Sequence, residues 1–143
     1  MKKMFLIFMF MGFVSMQAQE WVYDYDEALE QARAENKKII LVFSGSDWCV
    51  PCIKLERYIW TSPEFKAYAK EHYVMLRADF PRKKKNRLSP EQRRKNEALA
   101  AKYNPHGYFP LIVVLSPDGK VLGETGYDKN KTPADYIAYF DSL

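Results

Sequence analysis

The stretch "GSDWCVPCIKLE", residues 45 to 56, holds both cysteines of the chain, Cys49 and Cys52, with two residues between them. Thiols at this spacing serve as a redox couple, as a pair of metal ligands or as a structural disulfide. Just upstream, "KIILVF" (38–43) is a short apolar, β-prone run bounded by charge and by Ser44-Gly45, the pattern of a buried strand. Cys49 therefore falls at the end of a strand-to-helix turn, with Cys52 one turn further in. A thiol at a helix N-terminus faces free N–H groups and the positive end of the dipole, which favour thiolate over thiol. Cys49 is the expected nucleophile. Cys52 lies on the same side of the helix, near enough to bond Cys49 after a small rearrangement, and is the expected resolving thiol. Pro51 is tolerated between them because an N–H in the first turn has no helical partner.

Working outward, Asp24 with Glu27 three residues on marks a helix N-terminus, and Tyr25, Ala28, Leu29 and Ala32 then share one face. Three later helices open with a hydroxyl cap followed by proline, in "TSPEF" at Thr61, "LSPEQ" at Leu88 and "KTPAD" at Lys131. Between them "YVMLRADF" (73–80) and "LIVVL" (111–115) read as strands, and "SPDG" (116–119) turns the second into "KVLGETG" as a hairpin. Strands alternating with helices first and a hairpin last imply an α/β fold. Its mixed sheet is parallel in its first part and ends in an antiparallel C-terminal hairpin, with helices on both faces.

The 143 residues, 48% of them hydrophobic, suffice for one core and one domain, expected over residues 19–143. Residues 1–18 read as a secretory signal peptide: Lys2 and Lys3, an apolar run from Met4 to Val14, and a small residue, Ala18, at the cut. The run is shorter than the ~20 apolar residues of a spanning helix. Export to the periplasm or beyond places the dithiol in an oxidising compartment, where it stays reduced only if something supplies electrons. Without the two leading lysines the net charge is +2, and "RKKKNRLSPEQRRK" (82–95) alone carries +7, leaving −5 elsewhere. Export and the lack of interleaved aromatics speak against nucleic acid as a partner. The segment reads as a solvated loop and helix face, with docking to an acidic partner or to anionic lipid as the alternative.

"FSGSDWCVPCIKLE" (43–56) resembles the active-site segment of the thioredoxin superfamily. The superfamily's second signature, a cis-proline facing the dithiol, is matched by Pro110 in "GYFPLIVVL". "DWCVPCIKLERYIWTSPEF" (47–65) is similar in addition to the C-terminal thioredoxin-like domain of the membrane disulfide reductase DsbD and to exported single-domain relatives. The resemblance covers roughly residues 37 to 142 and implies a thioredoxin fold. It also implies thiol-disulfide oxidoreductase activity through Cys49 and Cys52, with Glu56 tuning the protonation of the dithiol. Trp48, Tyr108, Phe109 and Pro110 would form a docking surface for disulfide-containing protein substrates, and a membrane electron donor of the DsbD type is implied as reductant. Reduction is favoured over oxidation or isomerisation because proline precedes Cys52. No cofactor and no metal are required, and a monomer is expected.

One departure from the pattern bears on mechanism. The family places a buried aspartate six residues before the first cysteine as a base toward the resolving thiol, and this chain has Phe43 there. Glu56 or water is left for that task, and Asp47, expected to be exposed, is a weak candidate. Soft-metal binding by the two thiolates is a competing reading, for which His106 and His72 are the available additional ligands, although His72 at a helix end is better placed to cap carbonyls. A purely structural role is disfavoured, because a disulfide closing so short a loop constrains the unfolded chain little.

Overall fold

The computed structural model describes residues 19–143, so the expected signal peptide at 1–18 lies outside the described residues. Five strands form one sheet: β1 (Trp21–Val22), β2 (Lys38–Ser44), β3 (Tyr73–Asp79), β4 (Leu111–Leu115) and β5 (Val121–Thr125), in the order β1-β3-β2-β4-β5. The first three run parallel, β4 is antiparallel to β2, and β4–β5 is the antiparallel hairpin. This is the mixed sheet expected from the order of elements, and it matches the fold that the resemblance implies. The two-residue β1 was not anticipated, being too short to carry a periodic signal. The hairpin turn rests on Gly119, whose φ of +81° is a backbone region side-chain-bearing residues rarely adopt.

Helices α1 (Tyr25–Glu35) and α4 (Pro90–Tyr103) cover one face of the sheet. α2 (Val50–Leu55), α3 (Pro63–His72) and α5 (Pro133–Ser142) cover the other. Asp24, Ser62, Ser89 and Thr132 each accept a first-turn N–H, at 3.0, 3.2, 3.1 and 3.3 Å, so every cap read from the sequence forms. At the far end of α5 the Lys38 ammonium donates to the carbonyls of Phe140 (2.9 Å) and Leu143 (2.6 Å), which have no intrahelical partner.

Alternation along β2 divides its apolar run between two cores. Ile39, Leu41 and Phe43 face α1 and α4, while Ile40 and Val42 face α2, α3 and α5. The second core centres on Trp60, which is 1% exposed and packs on Trp21, Phe65, Tyr136 and Phe140. Trp60 reaches this position because α2 continues into a π-helical turn, Glu56–Trp60, closed by Thr61 N–H donating to the Glu56 carbonyl at 3.1 Å. Truncating a buried tryptophan removes its transfer free energy and leaves a cavity. Trp60→Ala is expected to lose roughly 3–5 kcal/mol in urea unfolding; a loss under about 1 kcal/mol would show that the π-helical turn is not held by this packing.

Candidate active site

The site is built at the C-terminal end of β2. Ser44 ends the strand, the chain turns through Gly45–Trp48, and Cys49 is the N-cap of α2. Cys49 and Cys52 are joined by a disulfide, with Cα atoms 5.2 Å apart, and both are buried. Two backbone amides point at the sulfurs: Cys52 N–H donates to Cys49 Sγ at 3.3 Å, and Gly45 N–H donates to Cys52 Sγ at 3.5 Å. The first is a capping bond with sulfur in place of oxygen. Its dipole supports negative charge on Cys49 once the bond is reduced.

Around the buried sulfurs the surface is apolar and open. Val50 is 59% exposed, Tyr108 61% and Ile53 38%, with Trp48, Phe109 and Pro110 half-buried beside them. The Trp48 and Phe109 rings meet edge to face at 5.4 Å, and Phe80 meets Phe109 at 5.5 Å. The Phe109–Pro110 peptide is cis. Leu111 pairs with Phe43 across β2 and β4, so Pro110 stands at the same end of the sheet as the dithiol turn. The loop before it is held by the buried Asn104, whose side chain accepts from Tyr108 N–H (2.9 Å) and donates to its carbonyl (2.8 Å).

Phe43 is fully buried in the core under α1 and α4 with Ala78 and Leu111, against Phe80 and Phe109. An aromatic ring fills this place, so a buried carboxylate there has no counterpart. Glu56 follows the dithiol on the same helix, and its carboxylate is ion-paired with Arg77 of β3. The Arg77 guanidinium also lies over Trp21, 3.8 Å from the ring centre. His72 ends α3 with its ring stacked on Tyr68 at 3.9 Å, and His106 is exposed, its nearest ring contact Tyr108 at 5.8 Å.

Asp47 corrects an expectation. It is half-buried, and its carboxylate accepts from the amides of Arg82 (3.0 Å) and Lys83 (3.0 Å) and from Asn86 Nδ2 (2.9 Å). Trp48 Nε1 donates to the Phe80 carbonyl at 2.7 Å, the Arg82 guanidinium lies 3.7 Å above the Trp48 ring centre, and Asp79 accepts from Ser46 N–H (2.9 Å). The basic segment is the solvated loop and helix face expected, and is in addition fastened to the dithiol turn at its start. Gly45 is required beneath it, because a Cβ there would meet Trp48 Cζ2 at 2.6 Å. The charge run was visible in the sequence, but its attachment was not, since Asp47 and Arg82 are far apart along the chain.

The arrangement defines a class: an α/β domain with a disulfide in the first turn of a helix, at the end of a central strand, beside a cis-proline. Residues 20–117 match the Thioredoxin-like family, and the chain belongs to that family. Disulfide bond reductase DsbH of Chlamydia pneumoniae is 44% identical over 104 residues, 73% of this chain and 61% of the relative. The chain thus spans about three fifths of that relative's length. A solved DsbH oxidoreductase superposes with a TM-score of 0.79 at 39% identity, covering 88% of this chain and 84% of that one. The oxidised C-terminal domain of Neisseria meningitidis DsbD shares the fold, with a TM-score of 0.57 at 19% identity over 82% of this chain and 90% of that one.

The Arg82 amide, then the Asn86 side chain and the Lys83 amide, hold the Asp47 carboxyl below the ordinary carboxylate range. A depressed folded-state pKa means that this anchor is fully present above the unfolded value of ~3.9 and is lost as pH falls through the lower folded value. In an NMR titration the Arg82 and Lys83 amide shifts should therefore move together with a midpoint below ~3.9, and Asp47→Ala should abolish the step. A midpoint at or above ~3.9 would mean that the carboxylate gains nothing from these donors.

Proposed function

We propose that this chain is an exported thiol-disulfide oxidoreductase that reduces protein disulfides through Cys49 and Cys52. The observation that carries the reading is the buried Cys49–Cys52 bond at a helix N-terminus, with Cys52 N–H directed at Cys49 Sγ and exposed apolar side chains around it. The reductase named among the relatives supports the direction. The charged and apolar start of the chain supports export to the periplasm. The domain is taken as residues 19–143.

In the reduced protein the Cys49 thiolate attacks one sulfur of a substrate disulfide and forms a mixed disulfide with it, while the other sulfur leaves as a thiolate and takes a proton from solvent. The mixed disulfide is resolved when Cys52, deprotonated, attacks Cys49 Sγ and expels the second substrate thiolate. Two electrons have then passed to the substrate, and the protein is left with its Cys49–Cys52 bond. Trp48, Phe109 and Pro110 hold the substrate chain beside the sulfurs, extended backbone pairing being available where proline offers no N–H. Electrons for the next cycle come from a membrane donor of the DsbD type, because the oxidising compartment supplies none.

Glu56 enters this reading as a tuning residue rather than a free base, because Arg77 offsets its charge. Glu56→Gln leaves Arg77 uncompensated, so Cys49 in the reduced variant should be alkylated at pH 7 at least as fast as in the native protein. If the variant instead resolves the mixed disulfide many-fold more slowly, Glu56 is the base toward Cys52.

The reading is tested by equilibrating residues 19–143 against glutathione and thioredoxin redox buffers. A potential near the ~−270 mV of thioredoxin is expected, whereas ~−120 mV would make the protein a disulfide donor and reverse the direction. Cys52→Ser should trap a covalent complex with substrate that reductant releases, and Cys49→Ser should trap none.

A further inference from the structure

Beside the dithiol turn lies a cleft of about 230 Å³ between the segment after β3 and helix α4. Arg82, Lys83, Arg87 and Arg93 line it, against two carboxylates, Asp79 and Glu97. Asp79 is already engaged by the Ser46 amide and hydroxyl. None of the four cations forms an ion pair among the described residues, whereas neighbouring Lys95 is held by Asp24 and Glu91. Elsewhere the charge of residues 19–143 is −5, so the positive field is confined to this edge. Two features fix the cleft to the redox centre. The Asp47 carboxylate holds the Arg82 and Lys83 backbone, and the Arg82 side chain lies on the ring of Trp48, the residue before Cys49.

We propose that this cleft is a subsite for acidic side chains of the substrate chain, so that the protein prefers disulfides flanked by Asp or Glu. The inference rests on the dithiol reading above and extends it to substrate class. A carboxylate on the segment next to the target cystine meets Arg82 and Lys83 while the cystine reaches Cys49, and Arg87 and Arg93, which line the same cleft, take a second one. Guanidinium groups suit this role, since they bind carboxylates in a bidentate fork. Cations held beside the dithiol turn also raise the encounter rate with acidic chains in a salt-dependent way. A protein chain is favoured over a lipid surface because the cations line a concave cleft fastened to the dithiol turn through Asp47 and Trp48 rather than a flat face.

The test uses two disulfide-closed peptides of equal length, one with glutamate on both sides of each half-cystine and one with serine. Reduction of each by the reduced native protein is followed at low and high ionic strength, and again with a Lys83→Gln, Arg87→Gln, Arg93→Gln variant. The expected result is a rate ratio of roughly tenfold in favour of the acidic peptide at low salt. The ratio should fall toward one at high salt and in the variant. A ratio near one in the native protein at low salt overturns the subsite, and so does a high ratio that survives in the variant. A ratio near one, with binding to vesicles of anionic phospholipid that the variant loses, assigns the cations to a membrane surface instead. Failure to reduce either peptide rejects the dithiol reading itself, and the subsite with it.

Discussion

Strand β2 has no free edge, and most of the molecule follows from that. Its backbone pairs in parallel with β3 over seven residues and antiparallel with β4 over five, and its side chains feed both cores alternately. A strand held on four sides cannot shift register without moving every apolar side chain to the wrong face. The point where it ends is therefore fixed to within one residue. Gly45 begins the dithiol turn at that point, and its N–H reaches the Cys52 sulfur. The precision of the sulfur site is inherited from the middle of the sheet.

The same strand explains why Phe43 suits its place. It is the last residue of β2 directed to the α1 and α4 core, and its neighbours Phe80 and Phe109 link that core to Trp48 at the surface. A carboxylate here would have to be buried among rings with no donor beside it, which disfavours its charged form. The chain uses the position for packing, and under the function proposed above the proton chemistry of Cys52 falls to groups outside the core.

Much of this was legible in residues 21–142 because the signals are local. Four helix caps, the apolar runs of β2, β3 and β4 and the Ser116–Gly119 turn each depend on neighbours within a few positions, and each formed where expected. The Cys49 and Cys52 spacing showed that the two sulfurs could meet, and in the structure they are bonded. What escaped was long-range and polar. The pairing of Glu56 with Arg77 and the grip of Asp47 on residues 82–86 rest on side chains whose types occur everywhere on protein surfaces. Nothing in their sequence spacing distinguishes them from solvated groups. Phe43 is a case where the departure from the family pattern was visible in the sequence and its place in the core came from the structure.

Asp47 grips the segment after β3 mainly through the peptide N–H groups of residues 82 and 83. Every amino acid except proline carries that donor, so the grip is indifferent to which side chains the two positions bear. Mutation could exchange lysine for threonine or glutamate at position 83 and leave the loop docked in the same place. The anchor and the chemistry it presents are therefore separately heritable. Descendants of such a chain could change the partners they select by altering a few outward-facing side chains, while the sulfur centre and its support pass on unaltered.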